Sequence, residues 1–311
     1  MKLARILGVV LAVILVGLPA IIGTGHAGNI GVVALLFVML GVSFNLIFGM
    51  TGYLALTHAT SFGLGAYIAA LGSTKAGVSF PLTLLAGAAG AALFSLPVGT
   101  LAFRRVRGFP FAIVTLGITI TMWIVADHWM PVTRGPMGLY GIPRPTFLRQ
   151  LFPGSVGYFY MGVILTGIIA AICWFIVRSD VGRVLRGIKD NEGMLSSLGV
   201  DTYRYKLSVY VLASFFAGTT GAFYAHYLTV VSPDVFWLYW ISIPLVVVHV
   251  AGLGRFWAVI GVAVALAVVP EYLRASQAYQ QLLFGLLLVG VVTLMPNGIG
   301  GWWAARRRRS R

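Results

Sequence analysis

The sequence predicts an all-α fold: a polytopic membrane helical bundle of about ten transmembrane helices, with N- and C-termini cytoplasmic. Three observations predict it. The chain is poor in charge, its apolar residues fall into runs of spanning length, and its Lys and Arg are distributed unevenly between the two sides. Of 311 residues, 59% are hydrophobic and 9% are charged, against about 25% charged in soluble domains. A single bundle over 1–311 accommodates a length that would otherwise suggest about two soluble domains.

Apolar runs lie near 3–23, 30–50, 59–74, 82–103, 110–130, 158–177, 206–228, 238–253, 256–273 and 280–296, the third and eighth being short. In lipid every backbone polar group needs an internal partner, so runs of this length form helices. The first run, flanked by Lys2, Arg5 and Gly25-His26-Ala27, has some features of a signal peptide, but its length favours an uncleaved helix.

Threading ten spans from an internal N-terminus leaves Lys75, Arg134, Arg144, Arg149 and Arg274 outside. The remaining 17 of 22 Lys and Arg fall inside, in the turns at 2–5, 104–107, 178–206 and 255 and in the basic tail 304–311. That asymmetry sets the orientation. The net charge of +15 therefore sits in short turns rather than on a basic face interleaved with aromatics, which excludes nucleic-acid binding. Cys173 stands alone in an apolar run, so it forms no intrachain disulfide and reads as a small buried residue. The histidines show no ligand spacing, and no metal site is expected.

Two segments interrupt the pattern. The first, 44–67, carries Gly49, Gly52, Gly63 and Gly65 with polar Asn45, Thr51, Thr57, His58, Thr60 and Ser61. Irregular backbone at membrane depth is tolerated where it lines a cavity or is buried in protein. Asn45, Gly49, Thr51, Gly52, Thr57, His58, Ser61 and Gly65 are thus candidates for a translocation path, with close packing through small residues as an equal alternative. A short echo, Gly218-Thr219-Thr220-Gly221, matches the Gly-Met-Thr-Gly of 49–52 but reads best as chance.

The second interruption is the polar loop 179–204. Val181, Val184, Leu185 and Ile188, continued by Met194, Leu195 and Leu198, form an apolar stripe that predicts an amphipathic helix over 181–198, ended by Gly199. Such a helix rests on a membrane interface or docks in a partner's groove, and its mixed acids and bases favour docking.

Four stretches carry a resemblance: 45–71, 115–143, 182–225 and 240–274, with Pro296-Asn297-Gly298-Ile299-Gly300-Gly301 closing the last span. They resemble, nearly end to end and in order, the permeases of branched-chain amino-acid ABC importers, of the LivM type. The resemblance implies a coupling helix within 179–204, and the family's pattern over the 182–225 stretch is met here by Asp190-Asn191-Glu192, Leu198-Gly199-Val200 and Tyr205-Lys206, with Gly193 to Ser197 where alanines are usual. It makes Arg183, Arg186, Asp190, Glu192, Leu198 and Gly199 the expected coupling residues. It also implies a heterodimer with a second, homologous permease, two cytoplasmic ATPase subunits, an external substrate-binding protein and a bacterial inner membrane. No Gly-x-x-x-x-Gly-Lys-Ser/Thr is present, so this chain is expected to be non-catalytic, binding no cofactor, with ATP and Mg2+ held by the partner ATPases. The same family includes importers of urea and short amides.

Two rivals compete with an ABC permease. An ion-coupled secondary transporter usually carries an acid at mid-membrane, and Asp127 and Glu271 lie near span ends. An intramembrane enzyme built on Ser61 and His58 lacks an orienting acid. The neutral polar lining points to a solute without net charge: a branched-chain amino acid first, urea or an amide second.

Overall fold

The computed structural model describes residues 26–106, 108–145 and 155–272. The expected spans at 3–23 and 280–296 and the basic tail 304–311 lie outside the described residues, as do Arg107, Arg149 and Arg274. The long helices are α1 (His26–Phe44, continued by a π-helical turn Asn45–Gly49), α2 (His58–Lys75), α3 (Phe80–Arg105) and α4 (Phe109–His128). After the short α5 (Met130–Thr133) come α6 (Ser155–Arg178), α7 (Asp180–Ser197), α8 (Thr202–Leu228), α9 (Leu238–Ala251) and α10 (Phe256–Tyr272).

Among the described residues, six stretches are long and apolar enough to cross a membrane: Gly28–Gly49, Phe80–Arg105, Phe109–His128, Gly157–Arg178, Thr202–Leu228 and Pro233–Ala251. The chain is therefore a polytopic helical membrane protein. The expected span at 59–74 and the described part of that at 256–273 are also helical, but α2 is diluted by glycine and hydroxyl residues, and the apolar part of α10, Phe256–Val268, is shorter. One addition to an all-helical plan is a two-residue antiparallel ribbon. It pairs β1 (Leu139–Tyr140) with β2 (Val230–Val231) at one end of the bundle.

Helix α8 is held closest to its neighbours. A Cβ on Gly221 would collide with the Phe62 carbonyl, and one on Gly65 with the carbonyl of Gly218. A Cβ on Gly87 would lie 2.8 Å from Gly65 O. Glycines at these positions let the backbones of α2, α3 and α8 touch, which is how helices gain packing contacts where lipid supplies no hydrophobic drive. Cys173 is buried, as expected.

The two ends of the bundle differ in charge. At one end lie Arg104, Arg178, α7 and Arg255; at the other lie the ribbon, Lys75 and Arg134. At the ribbon end His226 anchors the loop, with Nδ1 3.0 Å from Pro143 O and Nε2 2.9 Å from Thr83 Oγ1.

The loop helix departs from its expected form. Helical residues span Asp180–Ser197, but Asn191 has φ −160° and ψ 94°, so two helices meet there. Asn191 Oδ1 accepts from Met194 N (3.0 Å) and so caps the second piece, as a short polar side chain does at a helix start. The apolar stripe is accordingly split. Leu185 and Ile188 are buried, whereas Met194 and Leu198 are 64% and 69% exposed. Gly199 follows the last turn at φ +81°, the left-handed conformation glycine supplies at a helix end.

Candidate functional site at a broken helix

The regular helix of α1 widens at Asn45–Gly49 and ends at Gly52, where φ is +78°. Residues 52–57 carry no regular structure, and α2 restarts at His58. Such a break survives at depth only if its polar groups find partners. Two threonines of α4, one helical turn apart, supply them. Thr115 Oγ1 accepts from Leu56 N (3.1 Å), and Thr119 Oγ1 donates to Leu56 O (3.2 Å). Thr51 Oγ1 donates to Ile47 O (2.6 Å) and accepts from Tyr53 N (3.3 Å). Thr57 Oγ1 lies 2.6 Å from Tyr210 OH on α8.

The expected path residues gather around this break but are engaged in different ways. Asn45, Thr51, Thr57, His58 and Ser61 are all buried. Asn45 Oδ1 accepts from Gly254 N (3.1 Å), while its Nδ2 is buried without a hydrogen-bond partner among the described residues. Gly49 has no room for a side chain beside Asn45 Oδ1, and Gly65 packs on α8. Gly52 is exposed. His58 Nε2 is 3.0 Å from Ser43 Oγ, and Ser61 Oγ donates to Thr57 O (3.2 Å). The Ser61–His58 pair that a nucleophilic site would need is therefore not formed. Ser43 partners His58, a contact that a separation of 15 positions hid from the sequence.

At the basic end the break meets α7. Lys189 Nζ donates to Gly49 O (3.2 Å), and Tyr53 OH donates to Glu192 Oε2 (2.6 Å). Glu192 Oε1 accepts from Lys206 Nζ (2.5 Å) and Thr202 Oγ1 (3.1 Å). Lys206 is almost wholly buried, its ammonium lying 4.6 Å from the centre of the Tyr53 ring and 5.3 Å from that of Phe103. A buried cation of this kind persists only when paired. The neutral polar lining expected from the sequence is thus corrected to include one buried base: Lys206, neutralised by Glu192. Burial alone would raise the Glu192 carboxyl, but hydrogen bonds from Lys206, Tyr53 and Thr202 and the Lys206 charge outweigh it and hold it below its ordinary value. Desolvation lowers the Lys189 ammonium, with Asp190 opposing the shift and Arg255 adding to it.

The expected coupling residues separate into two groups. Glu192 turns inward. Arg183, paired with Asp180, is exposed, as are Asp190, Leu198 and Gly199, while Arg186 lays Nη1 3.0 Å from Val177 O. Tyr53, Thr115 and Thr119 were not among the residues the sequence singled out for the site, and Lys206 entered only through the Tyr205-Lys206 match. A lone lysine at the head of an apolar run and a Thr-x-x-x-Thr spacing, which places both hydroxyls on one helix face, were the available signals.

Residues 26–292 match the model of a family described as the permease component of the branched-chain amino acid transport system. The chain belongs to that family. The high-affinity branched-chain amino acid transport system permease protein LivM of Salmonella typhimurium (strain LT2) is 29% identical over 316 residues, covering 93% of this chain and 73% of the relative. The protein of the same description from Escherichia coli (strain K12) is 28% identical over 318 residues, covering 94% and 73%. No solved structure matches the chain. The LivM-type resemblance of the four stretches is thereby established, and with it an ABC-transporter permease embedded in a membrane.

Proposed function

We propose that the chain is the membrane-spanning, non-catalytic subunit of an ATP-driven importer that carries leucine, isoleucine or valine from an external binding protein into the cell. Membership of the branched-chain permease family over residues 26–292 is the observation that carries this reading. In it, ten spans place both termini in the cytoplasm of a bacterial inner membrane, and a second permease completes the path. Two cytoplasmic ATPase subunits hold ATP and Mg2+ and supply the energy of hydrolysis. The 179–204 loop receives their motion. Support comes from the second piece of α7, which presents Met194 and Leu198 as exposed apolar residues among charges, the form of a helix that seats in a groove.

The solute is net neutral. The polar side chains buried around the break are hydroxyls, Asn45 and His58, and the charge of buried Lys206 is cancelled by Glu192. A path for a cation or anion would present an uncompensated charge of opposite sign. Phe44, Phe62 and Leu46, buried beside these polar groups, suit an aliphatic side chain.

The test is uptake by the complete complex in proteoliposomes. Labelled leucine should accumulate only with ATP and the binding protein, and unlabelled isoleucine and valine should compete. Competition by urea or amides alone replaces the substrate class. Uptake driven by a sodium or proton gradient without ATP overturns the importer reading. In the same assay Glu192→Lys, which sets a second cation against buried Lys206, is expected to abolish uptake.

A further inference from the structure

The contacts of α7 with the broken turn are arranged around its own kink. Lys189, the last residue but one before Asn191, holds Gly49 O at the end of the π-helical turn. Glu192, the residue directly after Asn191, holds Tyr53 OH. The turn 49–53 is therefore gripped from both sides of the kink, across 140 and 139 residues of sequence. Between the two grips sits Gly52, exposed, at φ +78°, with the Lys189 Cγ 3.5 Å from where a Cβ would be.

The two pieces of α7 are seated differently. The first is fastened to the bundle by buried Leu185 and Ile188 and by Arg186 on Val177 O. The second exposes Met194 and Leu198. Its Glu192 carboxylate bonds at once to α8, through Lys206 and Thr202, and to the broken turn, through Tyr53. The side-chain part of Glu192 is 19% exposed and that of Lys206 2%, so water competes weakly for this junction and its geometry is specific.

We infer that Glu192, Lys206 and Tyr53 form a clasp that ties the second piece of α7 to the broken turn 49–57, so that displacement of that piece is passed to the turn at the head of α2. Asn191 is the hinge and Lys189 the fixed grip. Pulling the second piece shears Tyr53 against Gly49, and the strain falls on Gly52. Glu192 is thus a positioning residue acting inside the permease, not a group reserved for contact with an ATPase surface. The inference rests on the importer reading for its role in transport, but the hold on the turn is a property of the chain alone.

The experiment has one arm for each. In a Cys173→Ala background, Ala55→Cys puts a single thiol in the turn at a site that is 1% exposed. In the purified chain this thiol is expected to resist a water-soluble maleimide, and to react at least about fivefold faster once Glu192→Gln or Tyr53→Phe opens the clasp. Unchanged protection in both variants overturns the clasp. In the reconstituted complex, solute transported per ATP hydrolysed is expected to fall in each single variant and to fall no further in the double variant, because both remove one junction. Losses that multiply, or an unchanged ratio, overturn transmission through the clasp. Tyr53→Phe removes one hydroxyl and keeps the ring, which guards against misfolding of the Glu192 variant. A wild-type complex that transports nothing on ATP refutes the importer reading, and the labelling arm still decides the clasp.

Discussion

Phe48-Gly49-Met50-Thr51-Gly52 and Ala217-Gly218-Thr219-Thr220-Gly221 share a Gly-x-Thr-Gly core and end in opposite structures. Their local chemistry is the same. Thr51 Oγ1 donates back to Ile47 O (2.6 Å), and Thr220 Oγ1 to Phe216 O (2.8 Å), in each case four residues earlier. Yet the helix ends at Gly52, whereas α8 runs without interruption from Thr202 to Leu228. The neighbours make the difference. Gly221 and Gly218 lie against the backbones of α2 and α3, where a continuous rod of helix fills the space. Gly52 is exposed, with the Lys189 stem as its neighbour among the described residues, and the carbonyl of Gly49 is claimed by Lys189. A glycine permits a break, and the surroundings decide whether it is used.

The largest effect should come from the unbroken member. Gly221→Ala drives a Cβ into the Phe62 carbonyl, and backbone cannot rotate away as a side chain can. We expect a loss of about 3 kcal/mol, read as a lower melting temperature of the detergent-purified protein. Gly52→Ala should do less, about 1 kcal/mol, the cost of a left-handed conformation in open space. If Gly52→Ala lowers the melting temperature more than Gly221→Ala, the roles assigned to the two motifs are wrong.

The smallest effect concerns pH and sharpens the contrast at the broken member, the one tied to a charge pair. The folded Glu192 carboxyl lies below its ordinary value because its hydrogen bonds and Lys206 outweigh burial. Its contribution to stability is therefore present above the ordinary glutamate pKa of about 4.3 and is lost as pH falls through the lower, folded value. Melting temperature should be flat in this respect from neutral pH down to about 5 and fall below that. Glu192→Gln should lower the neutral plateau and flatten the acid fall. An acid limb identical in slope to the wild type would show that Glu192 carries none of it.

Much of the candidate site was legible because membranes penalise certain residues. Asn45, Thr51, Thr57, His58 and Ser61 stood out as polar groups inside an apolar run, and the structure gathers them at one break. Their partners were not legible. Thr115 and Thr119 looked like ordinary helix residues, and Lys206 stood only as the last residue of the Tyr205-Lys206 match, at the head of the run 206–228. Each acquires its part only when α4 or α8 is brought against the turn. The kink at Asn191 was also hidden, since the apolar stripe of 181–198 continues through it and an extended residue costs a short exposed helix little.

The sequence by itself determined that this is a helical membrane protein, where most of its helices lie, and which end carries the basic residues. Those follow from the cost of unpaired backbone in lipid and of charge away from water, which act on each segment separately. It did not determine the position of a helix within the bundle. The runs 28–49 and 157–178 are nearly equal in apolar character, yet 83% of the first is enclosed by protein and 28% of the second. Lipid and protein interior are both apolar, so hydrophobicity cannot choose between them. Only tertiary packing decided that α1 runs through the middle, that α8 lies flush on α2 and α3, and that a loop helix far along the chain closes on the broken end of α1.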